Sequence, residues 1–457
     1  MATGPPPKKP RFENGWFPTR SVWIQNTYII FYLWNWPCAV FCACAIHFAD
    51  RCDVAGISLT ILSMLLAVHN LYPSLRPYTT PFFQLSHYQS EDVYVQGWDD
   101  IYFVISSAIA FTAIRAITIE WVFQPVAQYA GLKRKASIRF AEQGWLLLYY
   151  GFFWSFGMYI WSQSNYWLDF RAIWAEWPAR GVSGTLKWYL LVQLSFWVQQ
   201  IFVINIEERR KDHYQMFTHH IITSTLLGSA YIYGFYNVSN VVLCLMDIVD
   251  FMLPTAKILK YLKYETSCNI AFGVFMLTWL IARHVFYLQL CWSIYKNVPE
   301  VMPYGTYSGT TAEMLSTDGY PSKFAYLFSP FQDIDGPISM NRTIKWIFLS
   351  FLLSLQVLSI IWFGMIVRVA VGVLRTGNAE DTRSDDEEEE EVSTNSQVHI
   401  AGKDGPNGTA VVVDSTNAEW RRSNGSSTVR TRGRGRVRLD QSDRKALLGR
   451  IGCDKPT

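Results

Sequence analysis

Two adjacent histidines, His219 and His220, open an apolar run, HYQMFTHHIITSTLLGSAYIY (213–233), that is long enough to cross a bilayer. The next apolar run carries MDIVD, with Asp247 and Asp250 three residues apart and so on one helical face. Ionisable groups inside lipid cost roughly 2.5–3.5 kcal/mol or more when central, and they mark function by default. An imidazole near a carboxylate can accept a proton from an amine or attack a carbonyl carbon, while the carboxylate fixes its tautomer and stabilises its cation. The short link between the runs predicts an antiparallel hairpin turning near Tyr236–Asn237. His220 lies sixteen residues before Tyr236 and Asp250 fourteen after it. At about 1.5 Å per residue, that difference is roughly 3 Å of depth, so all four groups are expected at one level. Adjacent helical residues point about 100° apart, so the two histidines should divide the work between them. Thr223 and Ser224 extend the polar face by one turn.

Two other readings of the cluster are open. The His and Asp groups could simply bond neighbouring helices, or they could hold a metal, since the ligand types fit. No second ligand cluster elsewhere in the chain favours a metal, and no cofactor is expected. His213 is expected at the interface, His87 in a loop and His399 in the tail, while His47, His69 and His284 read as packing or interfacial residues. Arg283 is a further charge inside an apolar run, available to counter a phosphate or carboxylate or to pair with a neighbouring acid.

These residues have to be held by membrane helices. Half of the 457 residues are hydrophobic and 16% are aromatic, and the charges crowd into the termini and a few loops. Apolar runs of spanning length, roughly 20 residues, lie at 29–48, 101–124, 144–162, 188–206, 215–235, 239–257, 268–292 and 344–369. A weaker run at 55–72 ends in turn residues. Nineteen tryptophans, many near the run ends, suit interfacial belts. The reading is an all-α polytopic membrane protein.

Basic loops mark the cytosolic side. Lys133, Arg134, Lys135 and Arg139 form one cluster, Arg209, Arg210 and Lys211 a second, and Lys257, Lys260 and Lys263 a third. The loops at 163–187, 234–239 and 293–343 fall on the other side. With a basic, cytosolic N-terminus, parity is satisfied if 29–48 crosses and 55–72 does not, giving eight spans; nine spans with a lumenal N-terminus is the runner-up. The first 28 residues lack the pattern of a cleaved signal, so 1–28 reads as a cytosolic segment and 29–79 as an N-terminal span with a membrane-associated stretch. The eight cysteines lack zinc-finger spacing with histidine partners and read as apolar filler. Residues 376–457 have an acidic run after Ser384 and a basic RGRGRVR run at 432–438. That composition cannot bury a core, so a disordered cytosolic tail is expected, with no nucleic-acid partner and with Ser384 suited to an acid-directed kinase.

RRKDHYQMFTHH followed by VLCLMDIVDFMLPTAKILKYL closely resembles the signature of the ceramide synthases, the longevity-assurance family of TLC-domain proteins. FFQLSHYQSEDVYVQGWDD (82–100) is similar to the stretch before that domain in fungal members. There is no homeobox-like insert, and A-R-H (282–284) stands where animal members usually have T-R-L. The resemblance covers 80–375 and implies a catalytic bundle of about six to seven spans around a lipid chamber, with an extra N-terminal span. It implies an endoplasmic-reticulum enzyme that joins a fatty acyl-CoA to a sphingoid base. Within it, His219, His220, Asp247 and Asp250 would be catalytic, and Arg283, Arg210, Lys211 and Lys257 would bind substrate. A small single-span regulatory subunit and a second synthase subunit are the partners it implies, besides membrane lipids. The competing readings are a non-catalytic TLC protein that binds or transfers lipid, a proton-relay transporter and an unrelated membrane acyltransferase.

Overall fold

Long helices dominate because, inside lipid, a helix satisfies every backbone N–H and C=O within its own segment. The computed structural model describes residues 54–376, apart from 91, 207–211 and 318–323. The run at 29–48, the cluster Arg209–Lys211 and the tail with Ser384 lie outside the described residues. The long helices are α1 (Val54–Leu71), α2 (Asp100–Tyr129), α3 (Arg134–Ser162) and α4 (Gly184–Ile206). They continue as α5 (His213–Ile232), α6 (Tyr236–Tyr261), α7 (Glu265–Lys296) and, after a shorter α8 (Ala325–Gln332), α9 (Arg342–Thr376).

Among the described residues, α2, α4, α7 and α9 are long and apolar enough to cross a membrane. A fifth span is counted only if α1 is joined to Pro73–Phe82, which bends away by 108°. Pro73, Pro77 and Pro81 explain that bend, since each removes a helical donor. The helices α3, α5 and α6 have the length but carry more polar residues, among them the histidines of α5 and the aspartates of α6. The chain is a mostly helical, multi-pass membrane protein.

The expected turn between α5 and α6 is present, two residues early. Gly234 takes a left-handed φ of 73°, and Phe235 N–H bonds the Ala230 carbonyl at 2.8 Å, closing α5 with a Schellman turn. Beyond the turn the two helices part. α5 packs mainly on α4 and α9, whereas α6 packs mainly on α3 and α7. A connected pair with separate neighbours leaves space between them.

The aromatic core of α2, α3 and α4 backs this space, with Phe111 edge-on to Tyr149 at 5.6 Å. At the end near the α5–α6 turn, β1 (Tyr88–Ser90), β2 (Val93–Tyr94) and β3 (Val182–Ser183) form an antiparallel sheet. Lys187 is fully buried beside it, paired with Asp100 at 2.8 Å and donating to the carbonyls of Ser86 and Val95. A second sheet of β4 (Gly305–Tyr307), β5 (Met314–Ser316) and β6 (Ile338–Met340) caps the same end. Tyr233 O–H bonds the Leu327 carbonyl at 2.9 Å, and Arg180 donates to the carbonyls of Ile334 and Gly336, tying the cap to the bundle. The described parts of the 293–343 connection therefore form a folded cap on the helices.

Candidate active site

The space between α5 and α6 is an apolar cavity. Leu226, Leu227 and Ala230 of α5 face Val238, Val242 and Met246 of α6, with Phe348 and Leu352 of α9 closing the side. A second, more polar cavity lies toward the opposite end of the bundle. Its walls include Arg115, Glu142, Asp212, His213, Lys257 and Arg283. Among the described residues, only His219 and Trp197 line both cavities.

His220 and Asp250 line the polar cavity alone. The His219 ring meets Trp197 at 5.4 Å, Trp362 at 5.2 Å and His220 at 5.6 Å. Trp197 also meets His220 at 5.3 Å, so one indole contacts both imidazoles. Aromatic packing holds these rings. The Nδ1 atoms of both histidines are buried without a hydrogen-bond partner.

The carboxylates take partners other than the imidazoles. Asp247 is fully buried, and its Oδ2 accepts from Gln193 Nε2 at 2.7 Å. Tyr149 O–H donates to the Oε1 of the same glutamine at 2.7 Å, giving a Tyr149–Gln193–Asp247 chain. Asp250 Oδ1 pairs with Arg283 at 2.8 Å, and that guanidinium also donates to the Met246 carbonyl and stacks on Trp279 at 4.3 Å. Among the described residues no hydrogen bond joins either aspartate to either histidine. The expected direct contact fails because α5 and α6 part to make the cavity. Asp250 is held by its ion pair with Arg283, and Asp247 by its bond to Gln193 across the packed α4–α6 contact.

Local backbone features place these groups. The α7 stretch Leu280–Phe286 is a π-helical turn, a form that recurs at functional sites. It turns Arg283 toward Asp250 while His284 Nδ1 meets Gln356 Nε2 of α9 at 2.7 Å. In α6, Pro254 has no N–H for the Asp250 carbonyl one turn before it.

Of the expected substrate-binding residues, Arg283 is committed to Asp250 and Lys257 lines the polar cavity. Arg210 and Lys211 lie outside the described residues. Trp197, Gln193, Tyr149 and Trp362 were not singled out from sequence. The one available signal was Gln193 four residues before Trp197, a polar residue sharing a face with an aromatic inside an apolar run. Among the described residues, no three His, Cys, Asp or Glu side chains group as metal ligands.

The TLC domain is the family description that matches the chain, over residues 139–368. A sphingosine N-acyltransferase-like protein of Alternaria alternata is 47% identical over 298 residues, covering 65% of this chain and 69% of that protein. A ceramide synthase of Gibberella moniliformis is 37% identical, covering 80% and 88%. The sphingosine N-acyltransferase lag1 of Schizosaccharomyces pombe is 38% identical, covering 75% and 81%.

Proposed function

This chain belongs to the TLC-domain family of ceramide synthases, and from that membership we propose that it joins a fatty acyl-CoA to the amine of a sphingoid base, releasing a ceramide and CoA. One observation carries the geometry: an apolar and a polar cavity meet at a histidine. The fatty chain needs the apolar space, the CoA thioester needs polar surroundings, and the carbonyl between them belongs at His219.

The reaction runs in two steps. A His219 ring nitrogen attacks the thioester carbon, forming a C–N bond, and the C–S bond breaks with its electron pair leaving on the CoA thiolate. The sphingoid amine then attacks the acyl-imidazole, the C–N bond to His219 breaks, and the pair returns to the ring. His220 takes the proton shed by the amine and returns it to solvent, which balances the proton that the departed CoA thiolate takes up to become the thiol. Asp250, Asp247 and their partners hold charge and geometry around the rings. Purified protein given labelled acyl-CoA and sphinganine should yield ceramide that depends on both substrates. A protein that binds these lipids without joining them would support the lipid-binding reading instead.

The proposal extends to topology. The TLC catalytic domain spans 80–375 as six to seven spans of an endoplasmic-reticulum protein, the polar cavity opens to the cytosol, and the sheet cap is lumenal. A second synthase copy and a small single-span subunit are its proposed partners. Support for the orientation comes from the basic loops, with Lys257 on the polar wall. The natural sequon at Asn341 is expected to stay bare, because Asn341 is buried and its side chain accepts the Ile344 N–H at 2.8 Å. A sequon built into the exposed Thr310–Glu313 turn should be glycosylated. Its modification by a cytosol-restricted reagent in intact microsomes would reverse the orientation.

A further inference from the structure

We propose that the indole N–H of Trp197 is the oxyanion donor of the acyl-transfer step, an inference that rests on the acyltransferase reading above. The thioester carbonyl has to sit where the fatty chain and the leaving group part. Two side chains line both cavities, and one of them is the nucleophile. The other is Trp197.

Trp197 is 2% exposed, and its Nε1 is buried without a hydrogen-bond partner. Buried indoles usually find an acceptor, and an orphaned donor costs stability. Other orphaned donors near the site are Trp145 Nε1, Trp279 Nε1, Arg283 Nε and the hydroxyls of Thr223 and Ser224. Trp145, Trp279 and Arg283 line the polar cavity alone, and Thr223 lines the apolar cavity alone, one turn along α5 from His219. The Trp197 ring is the one that meets both imidazoles, at 5.4 and 5.3 Å. Four residues earlier on α4, Gln193 is bonded to Asp247 and Tyr149, and Phe196 beside it is fully buried. The donor therefore stands on a braced helix. A donor held in place before the reaction needs no reorganisation when charge develops, which is the source of its effect.

When His219 attacks, a C–N bond forms and the carbonyl π pair moves onto oxygen. That oxyanion accepts a hydrogen bond from Trp197 Nε1, which keeps its proton. Collapse reforms the C=O bond and expels the thiolate with the C–S pair. The second step raises the same oxyanion when the amine attacks, so one donor serves both halves.

The test replaces Trp197 in the full-length protein with benzothienylalanine, in which sulfur takes the place of N–H and the ring shape is kept, beside a Trp197→Phe variant. Wild type is assayed first with acyl-CoA and sphinganine. Loss of one such donor is expected to lower kcat by about 10²- to 10³-fold. KM for acyl-CoA should change by no more than a few-fold, and melting of the benzothienyl protein should match wild type. Formation and discharge of the acyl adduct should slow by similar factors. A benzothienyl protein with wild-type kcat would reduce Trp197 to a wedge between the imidazoles and overturn the proposal, while ceramide synthesis by wild type still stood. Wild type that makes no ceramide would overturn both readings. If the Phe variant fails to fold, the isosteric variant decides.

Discussion

His219→Ala protein is expected to make no measurable ceramide and to carry no acyl adduct, although it inserts and folds. Wild type given acyl-CoA without sphinganine should gain one acyl group on the peptide containing His219. Removing acid–base help alone costs about 10²- to 10⁴-fold, and removing a covalent nucleophile closes the route altogether. His220→Ala separates the two roles. His220 lines the polar cavity and not the apolar one, so it stands on the side of the incoming amine and outgoing thiol. That variant should still acylate His219 but discharge it slowly, so the adduct accumulates even with sphinganine present. An adduct on His220 would exchange the assignments. Full turnover in either alanine variant would end the two-histidine mechanism.

The residue types of this site were legible in sequence because lipid makes them conspicuous. Two imidazoles and two carboxylates inside apolar runs have few uses other than chemistry. Their partners were hidden for a physical reason. Depth along two joined helices can be counted, and the count put Asp250 level with the histidines, with which it shares the wall of the polar cavity. The gap between the helices cannot be counted. It depends on α5 turning to α4 and α9 while α6 turns to α3 and α7, a choice made by side-chain shape across distant segments. Asp247 therefore ended on Gln193, and Trp197 passed unnoticed as one aromatic among many. The cap was hidden similarly. Its strands are three residues each, too short for a period-two pattern, and they form because Gly305, Thr306 and Tyr307 find Met340, Ser339 and Ile338 more than thirty residues away.

The ion pair of Asp250 with Arg283 carries the other large expected effect. Arg283 is 3% exposed on its side chain and Asp250 26%. Breaking a buried pair from one side typically costs about 3–5 kcal/mol, because the remaining charge is left without compensation. Asp250→Leu should therefore lower both the melting temperature of the detergent-solubilised protein and its ceramide output, as should Arg283→Met. The double variant Asp250→Leu with Arg283→Met removes both charges and should recover most of the lost melting temperature, since well-packed apolar replacements of buried pairs are often neutral. It should not recover acyl transfer. A buried carboxylate and guanidinium beside the polar cavity set the field in which an imidazole accepts a proton and a thiolate departs, and apolar replacements supply none of it. Activity and stability returning together in the double variant would mean that the pair only joins α6 to α7. Stability returning alone would place its charge in the reaction, and the stability coupling of the pair would follow from the double-mutant cycle.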